Sequence, residues 1–267
     1  MMARPSFSRQ APRPMLVAMI TEATPSACIA SMRNAIYDGA DAFGVMLGSL
    51  EAPYRTQIEL ERVFAYASDK PILVMHYRHA GSGLTDDDLV GSLIGAIEAG
   101  ASMCDLMGDM FDPSSLELST RPAIIDKQRR LVDEIHAMGG EVLMSSHTWV
   151  FMTAEETIEH AQALASRGAD MVKIAMCAHN EDQLVEVLRT TALLKRELDV
   201  PFLHVCMGQY GKMHRVISAV LGSSLVLCVP QYTATSHREQ PLLRSAKAVL
   251  DNLDWGLARD DQLGAVR

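Results

Sequence analysis

The chain has 267 residues, 48% of them hydrophobic and 21% charged, with a formal net charge of −9. That balance speaks against non-specific binding to nucleic acid or to an anionic membrane, both of which call for a basic surface. No apolar run reaches the ~18 residues of a membrane span, and residues 1–13 lack the apolar stretch of a secretory signal, so a cytoplasmic protein is expected.

Short apolar runs then alternate with longer amphipathic ones. "MLVAMI" (15–20) reads as a strand, and the helix after it has Thr24 to cap, Pro25 in its first turn and Gly39 past its end. "AFGVML" (42–47) is followed by a helix over 54–68, and "PILVMHY" (71–77) by a helix that Thr85 caps and whose acids suit its positive end. "MCDLM" (103–107) leads through a polar connection to a helix over 121–138. "EVLMSSH" (141–147) precedes a helix with a capping-box spacing from Thr153 to Glu156. "MVKIAMC" (171–177), "PFLHVCM" (201–207) and "SLVLCVP" (224–230) are the last three strands, with helices over 181–198, 211–221 and 241–253.

Eight strand–helix units in a chain near the roughly 250 residues of a (β/α)8 TIM barrel predict that fold. The runs are apolar throughout, as parallel strands buried on both faces should be. A doubly wound open sheet is the competing architecture, but "MITEATPS" lacks its glycine-rich fingerprint. The expected organisation is a flexible extension over 1–13, a barrel over 14–254 and a flexible tail over 255–267. Five cysteines, without a CxxC pair, read as reduced buried thiols.

Lys173 interrupts the sixth apolar run. Strand alternation puts it on one face with Met171, Ala175 and Cys177, while Val172, Ile174 and Met176 suit the helix layer, so Lys173 points into the barrel. An unpaired ammonium there is costly to desolvate, and an amine of lowered pKa is a good nucleophile for a ketone. The alternative is a lysine paired with a buried carboxylate for structure. His147 ends the neighbouring fifth strand, where this fold places general acids and bases.

Other features carry less. "GQYGK" (208–212) is either a phosphate-binding turn or an ordinary one. His76, His147, His179 and Asp105 fall near strand ends, but an HxH pair or converging carboxylates are missing, so no metal is expected. His204 reads as a core residue, and His136 and His160 as solvated helix residues.

"VLMSSH" followed by "MVKIAM" resembles the strand-five histidine and strand-six lysine of the type I 3-dehydroquinate dehydratase family, and the resemblance runs over residues 14 to 254. In "CMGQYGKMHRV", Arg215 stands at the family's carboxylate-binding arginine, and "MHYR" brings Arg78 to a second substrate arginine if one residue is inserted. The resemblance implies a homodimeric barrel without metal or cofactor. In it Lys173 forms an imine with 3-dehydroquinate or a related cyclic keto acid, His147 moves the protons, and 3-dehydroshikimate is released. The family's strand-two glutamate and arginine match Met46 and Gly48, the acid that orients its histidine matches Ser82, and a strand-four acid matches Met107. Gln240 stands in for a last-loop glutamine. The site expected from the resemblance is therefore Lys173 and His147 for catalysis, with Arg215, Arg78, Gln240, Met46 and Ser82 around a small keto acid. Other readings are a class I aldolase, or another imine-forming lyase, acting on a different ketone, and a non-catalytic ligand-binding barrel.

Overall fold

The eight apolar runs become eight parallel strands, alternating with eight α-helices, in the computed structural model, which describes residues 4–8, 13–79, 81–233 and 236–253. In chain order these are β1 (Met15–Ile20), α1 (Pro25–Tyr37), β2 (Ala42–Met46), α2 (Gln57–Phe64), β3 (Ile72–Met75), α3 (Asp86–Glu98), β4 (Met103–Met107) and α4 (Pro122–Ala137). There follow β5 (Glu141–His147), α5 (Ala154–Ala165), β6 (Met171–Cys177), α6 (Glu181–Glu197), β7 (Phe202–Met207), α7 (Gly211–Leu221), β8 (Leu225–Cys228) and α8 (Leu243–Leu250). β1, β4, β5 and β6 have the limits the sequence predicts. The helix expected over 54–68 is confined to α2, between short 3-10 turns at 52–54 and 65–67. β3 ends two residues early, at Met75, so Tyr77 leaves the ladder and is free to lean across the barrel mouth.

The strands pair in the order β7-β6-β5-β4-β3-β2-β1-β8. Between β7 and β8 the seam is held by the Ser224 N–H donating to Phe202 O (2.8 Å), so the sheet is a nearly closed (β/α)8 barrel. Strand alternation sorts the apolar side chains into two clusters, as period-two geometry requires. Val17, Met75, Met103, Leu143, Met171, Ala175, Cys177, Leu203 and Leu227 fill the interior. Leu16, Val74, Cys104, Val142, Val172, Ile174, Met176 and Phe202 pack against the helices. Gly44 on β2 is required by this filling, since a Cβ there would lie 2.6 Å from Met19 Sδ. All five cysteines are buried free thiols.

Two expectations need correction. Residues 4–8, expected to be a flexible extension, are anchored: Phe7 is buried in the interior cluster and its N–H donates to Glu141 Oε2 (2.8 Å), while Arg4 donates to Ala101 O (2.9 Å). Burial of one aromatic ring is enough to fix so short a segment. The expected tail, 255–267, lies outside the described residues. His160, expected on a solvated face, is buried on the inner face of α5 with Thr157, Ala161 and Leu164.

Candidate active site

Lys173 points into the barrel, as its strand register predicts, and is only 5% exposed. It is not an unpaired ammonium but a lysine paired with a buried carboxylate, the alternative that the sequence left open. Its Nζ lies 3.1 Å from Asp105 Oδ2 and donates to the Tyr77 hydroxyl at 2.6 Å. Asp105 sits on β4 in the same inward register as Met103 and is fully buried. It also accepts from the Tyr77 hydroxyl and from Ser145 Oγ. The ammonium's charge is therefore compensated at short range, which offsets part of the desolvation penalty that an isolated charge would carry. Burial, and then the Asp105 carboxylate and the charge of Glu117, push the Tyr77 phenol well above its ordinary pKa. The phenol stays protonated and joins the amine to the acid.

His147 closes β5 above this layer. Its ring meets that of Tyr77 edge to face, with centroids 4.9 Å apart. Lys173 Nζ lies 5.0 Å from the same Tyr77 ring. The two candidate catalytic side chains, from adjacent strands, thus share one phenol as their neighbour. Glu117 Oε2 accepts from the His147 backbone N–H (2.8 Å) and from ring Nδ1 (2.9 Å). A carboxylate only accepts, so the ring proton sits on Nδ1 and the Nε2 lone pair is left for chemistry.

Glu117 reaches His147 from the loop between β4 and α4, with a left-handed φ of 46° that a glutamate rarely adopts. The surrounding loop enforces it. Gly108 N–H donates to Ser145 O (2.7 Å), Ser146 Oγ donates to Leu116 O (2.9 Å), and Arg167 Nη2 donates to Ser119 O (2.6 Å). Gln128 Nε2 donates to Gly108 O (3.1 Å) and Met110 O (2.9 Å). A Cβ at Gly108 would lie 2.7 Å from Glu117 O and 2.4 Å from Leu164 Cδ2, so only glycine lets the loop close on β5.

The remaining expected site residues divide. Arg215 lies on α7, buried to 8% exposure, at the seam between β7 and β8. Its Nη2 is 3.6 Å from Glu239 Oε2, and its Nε has no hydrogen-bond partner among the described residues. Burial lowers its pKa against the opposing pull of Glu239. The same Glu239 carboxylate accepts from Gly208 N–H (2.8 Å), so the "GQYGK" turn presents an amide to a protein acid. Gln240, next to Glu239, is buried. Met46 ends β2 and packs on the interior cluster at the mouth, partly exposed.

Arg78 and Ser82 do not join the site. Both edges of the Arg78 guanidinium are taken: Nε and Nη2 donate to Asp86 (2.7 and 2.8 Å), and Nη1 donates to Asp109 (2.6 Å). Burial opposes its charge, but these carboxylates outweigh burial and raise its pKa. Ser82 is exposed, and its Oγ accepts from Leu84 N–H (3.3 Å). The acid that orients the histidine is Glu117, not a residue of the loop after β3. Among the described residues, no three His, Cys, Asp or Glu side chains are grouped to hold a metal ion.

Tyr77, Asp105 and Glu117 are the participants that the sequence reading left out. Asp105 had the same signal as Lys173, a charged residue inside an apolar strand. Glu117 had none, because it lies in a loop without periodicity.

Comparison with known proteins shows the family. The chain is 28% identical over 111 residues to the 3-dehydroquinate dehydratase of Alkaliphilus oremlandii, covering 41% of this chain and 44% of that protein. It is 28% identical over 170 residues to that of Syntrophotalea carbinolica, covering 62% and 63%. In both cases the chain spans less than two thirds of the curated relative. In fold it is similar to the crystal structure of type I 3-dehydroquinate dehydratase from Clostridium difficile with covalently modified comenic acid, at a TM-score of 0.76, 18% identity, and 90% and 92% coverage. A model of type I 3-dehydroquinase matches residues 16–254. The chain belongs to the type I 3-dehydroquinase family.

Proposed function

We propose that this chain eliminates water from 3-dehydroquinate, or from a related cyclic keto acid, through an imine on Lys173. One observation carries the reading: the one lysine buried among the described residues and a carboxylate-oriented histidine flank the same phenol at the C-terminal end of the strands. In this reading the Lys173 amine, once deprotonated, adds to the ketone carbon, and loss of water leaves an iminium. The iminium acidifies the adjacent C–H. His147 Nε2 takes that proton, the C–O bond of the β-hydroxyl breaks, and the imidazolium, stabilised by Glu117, returns the proton to the departing oxygen. Water then releases the enone and the free amine. Arg215 takes the substrate carboxylate in place of Glu239, with Gln240 beside it and Met46 as an apolar wall.

The alternative of a related keto acid is supported by the committed Arg78 and by Met46. The first leaves the mouth with one charged donor fewer and the second with one charged acceptor fewer than the family pattern supplies, each worth roughly 1.5–3 kcal/mol. The proposal takes residues 14–254 as the catalytic unit, acting as a cytoplasmic homodimer. Among the described residues no helix is long and apolar enough to cross a membrane.

Turnover tests the reading. Purified protein mixed with 3-dehydroquinate should generate the ultraviolet absorbance of a conjugated enone acid, and Lys173→Ala should abolish it. Turnover by Lys173→Ala, or inactivity of the folded protein with 3-dehydroquinate and with a panel of cyclic keto acids, contradicts it. Sedimentation at working concentration tests the dimer.

A further inference from the structure

The imine reading leaves one proton unaccounted for. Lys173 Nζ is ion-paired with Asp105 Oδ2 at 3.1 Å, and an ammonium has no lone pair with which to attack a ketone. His147 is not the group in contact with that nitrogen. Lys173 Nζ donates to the Tyr77 oxygen at 2.6 Å and, at the longer 3.1 Å, to Asp105 Oδ2, and the Tyr77 hydroxyl donates to the same Oδ2, so the tighter hydrogen bond at that nitrogen leads to the carboxylate through the phenol. Direction is fixed at both ends, because an ammonium only donates and a carboxylate only accepts. Ser145 Oγ, also donating to Asp105, holds the acid in register.

The geometry points to Tyr77 as a further catalytic residue, whose phenol passes the Lys173 proton to Asp105 and returns it to the carbinolamine hydroxyl. This rests on the imine reading above. In the first transfer an N–H bond of Lys173 breaks and a bond from that proton to the Tyr77 oxygen forms, while the phenol's own proton moves to Asp105 Oδ2. Ammonium and carboxylate become amine and carboxylic acid, with no net charge entering or leaving the barrel. The amine lone pair then bonds to the ketone carbon, and the carbonyl oxygen becomes the carbinolamine hydroxyl by taking the amine's surplus proton. In the second transfer the Asp105 proton goes back through the phenol to that hydroxyl. The C–O bond breaks, water leaves, and the iminium stands where the ammonium stood, again opposite a carboxylate. The sum is ammonium plus ketone giving iminium plus water. Hydrolysis reverses the path. His147 is thereby free for the elimination.

The division of labour explains why a phenol lies between the two catalytic side chains. Tyr77 leaves the β3 ladder at Met75 and reaches the interior with the inward register of that strand, facing Lys173 from β6, Asp105 from β4, His147 from β5 and Glu117 from the loop after β4.

The test follows adduct formation rather than turnover. Protein is mixed with 3-dehydroquinate and cyanoborohydride, and in a parallel arm with formaldehyde and cyanoborohydride. Reduction at Lys173 is timed by peptide mass, with surface lysines as internal standards. Tyr77→Phe should slow the Lys173 adduct on the order of 100-fold at pH 7 in both arms, the scale of a lost acid–base group. The deficit should narrow as pH nears ~10, where solvent takes the lysine proton unaided. Equal rates in wild type and Tyr77→Phe across that range overturn the relay. If Tyr77→Phe fails to fold, the unmodified protein decides: two protons moving together give adduct formation a curved dependence on the deuterium fraction of the solvent, and a linear dependence overturns the relay. A Lys173 adduct with formaldehyde but with neither 3-dehydroquinate nor any of the panel of cyclic keto acids sinks the dehydratase reading alone, and the formaldehyde arm still reports on Tyr77. No adduct with either carbonyl overturns both.

Discussion

Glu117 holds His147 by two hydrogen bonds to one carboxylate oxygen, from the backbone N–H at 2.8 Å and from ring Nδ1 at 2.9 Å. The bond to the backbone fixes where the acid sits, and the bond to the ring fixes which nitrogen of His147 is free. A side chain thirty residues away in sequence therefore sets the protonation pattern of the proposed base.

Glu117→Gln should keep the backbone contact but lose the charge that stabilises an imidazolium. We predict that kcat falls by 10²-fold or more, in the range of a compromised acid–base step. The rate at which Lys173 is trapped should stay within a few-fold of wild type. Steady-state kinetics alongside adduct timing separates the two effects. Equal losses in both would place Glu117 in imine formation instead.

Glu239 Oε2 lies 3.6 Å from Arg215 Nη2. Glu239→Gln should free the guanidinium and lower KM for the keto acid several-fold with little change in kcat. Arg215→Gln should raise KM by roughly 10-fold or more, the worth of a charge-assisted hydrogen bond. Unchanged KM in both variants would remove Arg215 from substrate binding.

Arg78 is held by Asp86 and Asp109, and Asp109 is almost fully buried. Arg78→Gln leaves Asp109 without its counter-charge and should destabilise the fold by about 3 kcal/mol. At a temperature where the variant is folded, KM should be close to wild type. Denaturant unfolding and kinetics on the same preparation check this. A large KM effect with unchanged stability would restore Arg78 as a substrate ligand.

His204, His214 and His160 are buried as neutral imidazoles. Thr191 Oγ1 lies 2.8 Å from His204 Nδ1 and 3.2 Å from His214 Nε2, while His204 Nε2 meets Met176 Sδ at 3.2 Å and His214 Nδ1 accepts from the Cys206 N–H at 3.1 Å. Burial pushes His204 down to about 3 and His160 to about 4, and His214 well below its ordinary value. In the unfolded chain each takes up a proton near ~6.5, so below that pH the unfolded state binds more protons than the native one. Stability should thus be full above pH 6.5 and fall as pH drops towards 4, by ~1.4 kcal/mol per pH unit for each histidine. Unfolding curves between pH 7 and 5 measure the slope. His160→Leu should remove one histidine's share, and a flat profile in wild type would contradict the account.

The barrel was legible because its signal is periodic. Parallel strands covered on both faces appear as apolar runs, and the inward face of β6 follows from alternation, which put Lys173 beside Met171, Ala175 and Cys177 as found. His160 was legible too, since Thr157, Ala161 and Leu164 share its helix face. What could not be read was pairing across the chain. Glu117 reaches His147 through a left-handed loop residue, and Arg78 is claimed by acids 8 and 31 positions away. Such contacts depend on three-dimensional closure, which no local pattern encodes. Phe7 belongs to the same class: a ring in a polar terminal stretch is fixed only because the barrel floor offers it a place.

The covalent step is the point on which the function rests, and it is read most directly by intact mass and peptide mapping after borohydride reduction of the protein with 3-dehydroquinate or the keto acid it turns over. The account predicts one reduced adduct per chain, on Lys173, absent from Lys173→Ala. Turnover of the keto acid with no adduct on Lys173, or an adduct carried by another lysine, would contradict it.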